Sequence, residues 1–150
     1  MPENNQRIHP IDIHVSYPVT QWNEERIYVA GPMRGYAKWN FPAFDKARDT
    51  LLSEGYQVIS PADLDRARGI TEDVTEFSSD DFATAIRIDT EAILCCTGVY
   101  MLIGWEASTG ARYEKTLCQT MKKDIYYEPG AVQADTSIHI IEPGEITNGE

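Results

Sequence analysis

Short apolar runs that alternate with helical patterns constrain the fold of this chain more than any other feature. Val99-Tyr100-Met101-Leu102-Ile103 is one such run, followed by a short loop over residues 104–107 and a helix that opens on Ser108. Repeated along a chain, strand followed by helix predicts a parallel sheet, because the chain must cross back before it can add the next strand. Arg26-Ile27-Tyr28-Val29-Ala30 repeats the pattern and stops at Gly31-Pro32. Asn40-Phe41-Pro42 then reads as a helix start, an N-cap with proline in the first turn. Phe41, Phe44, Ala47, Leu51 and Leu52 share one face of that helix before Gly55 ends it. Residues 56–60 read as a second strand closed by Pro61, and residues 66–78 as a polar loop. Ser78-Ser79-Asp80-Asp81 opens a third helix, with acids in the first turn as the helix dipole prefers. Asp124-Ile125-Tyr126-Tyr127 is the strand after the Ser108 helix, residues 137–141 a last edge strand, and residues 11–17 an added one near the start.

These signals predict an α/β fold: one doubly wound parallel sheet of about five strands with helices on both faces, flavodoxin- or Rossmann-like in three layers. The domain is expected over residues 26–143, with residues 1–25 as an N-terminal extension and residues 144–150 as a mobile tail. At 150 residues the chain suffices for one domain with a full core. The net charge of −11 argues against a nucleic-acid polymer as partner, since a polyanion wants a basic surface, but leaves room for a mononucleotide. No segment has the length of a membrane span, and the polar start does not read as a signal peptide. Cys95, Cys96 and Cys118 have no metal-ligand spacing and suggest reduced thiols in a cytoplasmic protein, with the adjacent pair at a helix end as core packing. His9, His14 and His139 are scattered outside every motif, so no metal site is expected.

In open parallel sheets ligands bind beyond the carboxyl ends of the strands, where the strand order switches direction. Here that geometry is expected to gather Tyr28, Gly31, Arg34, Asp63, Trp105 and Ser108 around one crevice. Two acids stand out beside it. Glu114 falls on the apolar stripe of its helix with Ala111, Leu117, Cys118 and Met121. Asp89 sits three residues after Ile86 and four before Ile93, on a face that also carries Phe82. Taken singly, each also reads as a structural acceptor for a neighbouring loop; two that flank one crevice point to work on a substrate, because desolvating a carboxylate is costly. Paired acids of this kind suit glycosyl chemistry, with its oxocarbenium-like centre.

The segments Tyr28-Val29-Ala30-Gly31-Pro32-Met33-Arg34-Gly35, Asp89, and Ser108-Thr109-Gly110 leading to Tyr113-Glu114 resemble the nucleoside 2-deoxyribosyltransferase superfamily. Their spacing is closest to that of the 2′-deoxynucleoside 5′-phosphate N-hydrolases. The stretches "YVAGPM", "NFPAF" and "GWEASTGARYE" also look like a branch of the superfamily often met in phage genomes. The resemblance covers about residues 27–127. Two positions depart from it: Pro32 replaces a hydroxyl residue of the phosphate hydrolases, and Thr97 stands where many relatives carry an acid.

The resemblance implies catalytic roles for Glu114, Asp89 and Tyr28. Glu114 looks like the nucleophile that attacks the anomeric carbon and expels the base, and Tyr28 like the hydroxyl that holds its carboxylate in line. Asp89 would donate a proton to the leaving base or hold a sugar hydroxyl. In the deoxyribosyltransferases the position matching Ser108, six residues before the nucleophile, is usually an acid that binds a free 5′-hydroxyl. A serine at a helix N-terminus, with Gly110 allowing close approach and Arg34 adding a guanidinium, suits a 5′-phosphate instead. As a plain N-cap Ser108 would be worth about 1 kcal/mol, and the two roles are compatible. Gly31, Met33, Gly35, Trp39 and Asn40 complete the expected substrate-binding set, the last two as base-stacking and base-reading candidates that also suit core and cap. Trp105 is a candidate wall of the pocket, Glu106 reads as a solvated loop acid, and Asp63 has no assigned role. The expected activity is hydrolysis of a deoxynucleoside 5′-monophosphate to free base and sugar phosphate, without metal or organic cofactor. The alternatives are a deoxyribosyltransferase that exchanges bases and a non-catalytic nucleotide-binding protein. The expected partner is a small deoxynucleotide or deoxynucleoside, not a nucleic-acid polymer or a membrane. By resemblance alone, the chain forms a homodimer or higher homo-oligomer.

Overall fold

The structure is a computed structural model that describes residues 25–133. The expected strands at residues 11–17 and 137–141 and the tail at residues 144–150 lie outside the described residues. Within them runs a four-stranded, wholly parallel sheet: β1 (Arg26–Ala30), β2 (Gln57–Ile59), β3 (Gly98–Met101) and β4 (Asp124–Tyr127), in the order β2-β1-β3-β4. Tyr28 pairs with Ile59 on one side and Val99 on the other, and Val99 in turn pairs with Ile125. Four helices join the strands: α1 (Phe41–Ser53), α2 (Pro61–Ala67), α3 (Ser79–Leu94) and α4 (Thr109–Thr120). Among the described residues, no helix is long and apolar enough to cross a membrane.

The period of two along β1 divides the core. Ile27 and Val29 face α1 and pack with Phe41, Phe44, Ala47 and Leu51. Tyr28 and Ala30 face the opposite side, where Leu64 of α2, Ile88, Ala92 and Ile93 of α3, and Ala111 and Cys118 of α4 meet them. The sheet is therefore covered on both faces, as the alternation of elements predicts. Because the chain runs from β1 outward to β2 and later from β3 outward to β4, the strand order switches between β1 and β3.

Local chemistry explains the helix starts. Ser78 caps α3 through a capping box, its hydroxyl accepting from Asp81 N while the Asp81 carboxylate accepts from Ser78 N. Ser108 caps α4, its Oγ accepting from Ala111 N at 3.2 Å. α1 begins differently from expectation. Asn40 is left-handed (φ 59°) and makes no side-chain cap; its amide instead donates to Pro32 O at 2.8 Å and ties down the loop after β1. Lys38 and Trp39 are left-handed as well (φ 54° and 53°), so three successive non-glycine residues form a strained turn.

Several expectations need correction. Residues 61–67 form α2, where the sequence reads only as a turn after Pro61; proline at the first helical position has no N–H to lose. Leu52 is half exposed, on the edge of the α1 stripe rather than within it. β3 ends at Met101: Leu102 continues the ladder by donating to Ala30 O and is buried, whereas Ile103 turns out to solvent. Cys95 is exposed, and only Cys96 of the adjacent pair packs in the core. Gly31 follows β1 where a Cβ would stand 2.7 Å from Leu102 Cβ, so the close approach of the two strand ends requires glycine.

Candidate active site

At the carboxyl ends of β1 and β3 the loops and helix starts part to leave a cavity of about 430 Å³, a size that suits a small organic ligand. The loop after β1 contributes Gly31, Pro32, Met33, Arg34, Tyr36 and Trp39. Pro61 and Asp65 of α2 form one wall, and Phe82, Ala85, Ile86 and Asp89 of α3 another. The start of α4 closes the site with Ser108, Thr109, Gly110, Tyr113 and Glu114.

Among the expected site residues, the cavity thus brings together Gly31, Met33, Arg34, Trp39, Asp89, Ser108, Gly110 and Glu114. Tyr28 lies beneath them, fully buried on β1. Gly35 and Asn40 do not line the cavity: Gly35 sits in the turn with φ +80°, and the Asn40 amide is engaged with Pro32 O. Asp63 faces away, paired with Arg48 at 2.6 Å and Arg66 at 3.1 Å. Trp105 belongs to the core under α4, with Nε1 donating to Val132 O at 2.8 Å, and Glu106 is exposed.

Glu114 is 8% exposed, and its Oε2 has no hydrogen-bond partner; the same holds for the hydroxyl of Tyr28. Burial first, and then the charge of Asp89, hold the Glu114 carboxyl well above the ordinary glutamate range. Burial, followed by the charge of Asp65, raises Asp89 to about 8, opposed by Arg68 and the Tyr28 hydroxyl. Tyr28 itself is pushed well above the usual phenol value by burial and by Asp89 and Glu114. Its hydroxyl lies close enough to favour the charged form of both acids, yet completes no well-formed hydrogen bond to either. Two buried polar atoms without partners at the edge of a cavity need an account that packing alone does not supply. Chemically, the cluster offers two desolvated carboxyl groups that both bind a proton more tightly than in water and share charge and proton between them.

The rest of the cavity is apolar and aromatic. Trp39 packs edge-on against Phe77 at 4.8 Å between ring centroids, and its indole N–H donates to Val74 O, which holds the segment before α3 over the site. Arg34, the only basic residue lining the cavity among the described residues, lies 4.3 Å from the centroid of Phe82. The first N–H groups of α4 have no acceptor within the helix, apart from Ala111 N, which is taken by Ser108. Thr90 and Tyr113 hydroxyls meet at 3.1 Å and link α3 to α4. Among the described residues, no group of three or more His, Cys, Asp or Glu side chains is arranged to hold a metal ion.

Sequence reasoning missed Asp65, Tyr36, Phe77, Phe82 as a cavity residue, and Tyr113 as more than a motif member. For the aromatics no sequence signal separates a cavity wall from a core. For Asp65 a signal exists once α2 is assigned, as argued below.

No curated protein matches the chain. Among solved structures it is similar to a 2-deoxyribosyltransferase from the psychrotolerant bacterium Bacillus psychrosaccharolyticus, with a TM-score of 0.51 and 22% identity over 68% of this chain and 70% of that one. At that identity the likeness is one of fold. The family described as "Domain of unknown function (DUF4406)" matches residues 25–127, from the first residue before β1 to the last of β4. Sheet, helices and cavity all fall inside that match, and the chain belongs to this DUF4406 family.

Proposed function

We propose that the cavity cleaves the N-glycosidic bond of a 2′-deoxynucleoside 5′-monophosphate, with Glu114 as nucleophile, Asp89 as general acid and Tyr28 as the group that orients Glu114. The observation that carries this reading is the buried, unpartnered Glu114 Oε2 of a residue that lines a ligand-sized cavity, with Asp89 on the same lining and Tyr28 beneath it. The fold shared with a 2-deoxyribosyltransferase supports it. A Glu114 oxygen attacks C1′ of the sugar as the C1′–N bond breaks. The bonding electrons leave with the base, which takes the proton of Asp89. Water then attacks C1′ of the glycosyl ester, returns a proton to Asp89 and frees Glu114 and deoxyribose 5-phosphate. A 2′-deoxy sugar suits this route because it lacks the electron-withdrawing hydroxyl that would destabilise positive charge at C1′.

Ser108, Gly110 and Arg34 are assigned to the phosphate. Ser108 Oγ is engaged as the cap of α4, so the donors it leaves to a phosphate are the free N–H groups of the first turn and the positive end of a twelve-residue helix. Incubating the protein with each deoxynucleoside monophosphate and following free base by chromatography tests the activity. Glu114→Gln, which keeps the shape of the side chain, is expected to cut release by at least about a thousandfold. Release at the parental rate would remove Glu114 as nucleophile. Base exchange is the second reading, favoured by the name of the fold relative; a free base added to the reaction would then yield a new nucleotide instead of sugar phosphate.

A further inference from the structure

Asp63 and Asp65 stand two residues apart on α2, and a helix of about 3.6 residues per turn sends them to opposite sides. Asp63 takes the outer side and its arginines. Asp65 takes the inner one: it is 5% exposed, lines the cavity, and has its counter-charge in Arg68 at 3.5 Å. Three helices thus each deliver one acid to the same space: Asp65 from α2, Asp89 from α3 and Glu114 from α4. Around them lie Arg68, paired with Asp65, the Tyr28 hydroxyl from β1, and Arg34 and Tyr113 on the cavity lining, the Tyr113 hydroxyl bonded to that of Thr90. Three carboxylates in one desolvated cavity do not all ionise together, so the protons must be shared out unequally.

We propose that Asp65 is a positioning residue: held charged by Arg68, it keeps a proton on the neighbouring Asp89 carboxyl, where the departing base needs one. Its catalytic consequence rests on the function proposed above, whereas the placement of the proton does not. Burial lifts Asp65 only to about 6, because Arg68 opposes the rise, while burial and the Asp65 charge carry Asp89 to about 8. Between those values Asp65 is ionised and Asp89 is not.

The test is Asp65→Asn in the full chain, read in two ways. A carbon-13 titration of the Asp89 carboxyl in the ligand-free protein is expected to show its midpoint lowered by on the order of one pH unit, with Asp65→Glu close to the parent. In the pH profile of kcat/KM for base release, the alkaline limb is expected to move down by the same amount. The variant then loses about fivefold at pH 8 and little at pH 6. An Asp89 midpoint that stays in place overturns the proposal whatever the activity. A loss that is equal at all pH values also overturns it, since it would mark Asp65 as a direct substrate contact. A midpoint that moves in a protein releasing no base supports the proton-holding role and overturns the glycosidic function instead. Asp65→Ser takes the same readouts if the Asn variant does not fold.

Discussion

Tyr28→Phe separates a functional hydroxyl from a structural one, because the two predict opposite effects on stability. The ring of Tyr28 is fully buried in the sheet and fills the core between α2, α3 and α4. Phenylalanine preserves that packing. The hydroxyl, by contrast, is buried without a hydrogen-bond partner, and an unsatisfied polar group costs about 1–3 kcal/mol to keep out of water. Removing it is therefore expected to leave the folding free energy unchanged or to raise it by about 1 kcal/mol. Activity should move the other way. If the hydroxyl closes onto the charged Glu114 carboxylate in the reacting complex, the lost bond is worth about 1.5–3 kcal/mol, or roughly 10- to 150-fold in kcat/KM. The pH profile carries a second signature. The Tyr28 hydroxyl favours the ionised form of Glu114, so its loss raises the pH at which that carboxylate charges, and the acid limb moves upward. Urea denaturation and base release measured on the same preparation decide the matter. A variant that loses stability and keeps its activity would refute the assignment, since the hydroxyl would then be holding the fold.

Asp89 offers a test that needs no substrate. Its native carboxyl is raised from 3.8 to about 8, so the folded state binds more protons than the unfolded one across that window, and stability should fall as pH rises through it. Asp89→Asn is expected to equal the parent near pH 4 and to exceed it at pH 8 by between about 1 and 6 kcal/mol, the upper figure being the full displacement; a gap that does not vary with pH in denaturation curves would contradict this. Ser108→Asp retains an N-cap of similar strength, so Tm should change little, but the added charge at the start of α4 should lower monophosphate use relative to the free nucleoside by tenfold or more, at about 1.4 kcal/mol per tenfold. An unchanged ratio would take the phosphate away from this helix end.

The sheet was legible because its signals are local and agree with one another. β1, β3 and β4 are short apolar runs bounded by glycine, proline or charge, and α3 announces itself through Ser78 and Asp81, which do form the capping box. α2 was not legible, for an equally local reason. Pro61 ends a strand and begins a helix with the same fixed φ, and seven residues are too few for a period to show. The left-handed turn over Lys38, Trp39 and Asn40 had no signal at all beyond the tolerance of asparagine for that region. It is held by tertiary contacts, the indole on Val74 and the Asn40 amide on Pro32, that a sequence cannot display.

The site obeys one rule that only partly reached the surface of the sequence. Glu114 and Asp89 could be singled out because each interrupts an apolar stripe of a helix long enough to show one. Asp65 interrupts a stripe too: it lies four residues after Pro61 and three after Ala62, both buried. The criterion that found two acids finds the third as soon as α2 is known to be a helix, so the omission was one of secondary structure and not of chemistry. The rule also explains why Asp63 is different, since it falls on the outer face with Arg48 and Arg66 and needs no other account. A single acid on an apolar face is often a solved packing problem, with a loop amide or an arginine as the solution. Here Glu114 keeps an orphan oxygen, Asp65 has an arginine only at 3.5 Å, and Asp89 is raised by burial and then by its neighbour's charge. A fold selected for stability alone would replace such groups with apolar ones of similar volume. Their convergence from three helices on one cavity is the cost expected of a site that must hold charge and proton apart until a substrate arrives.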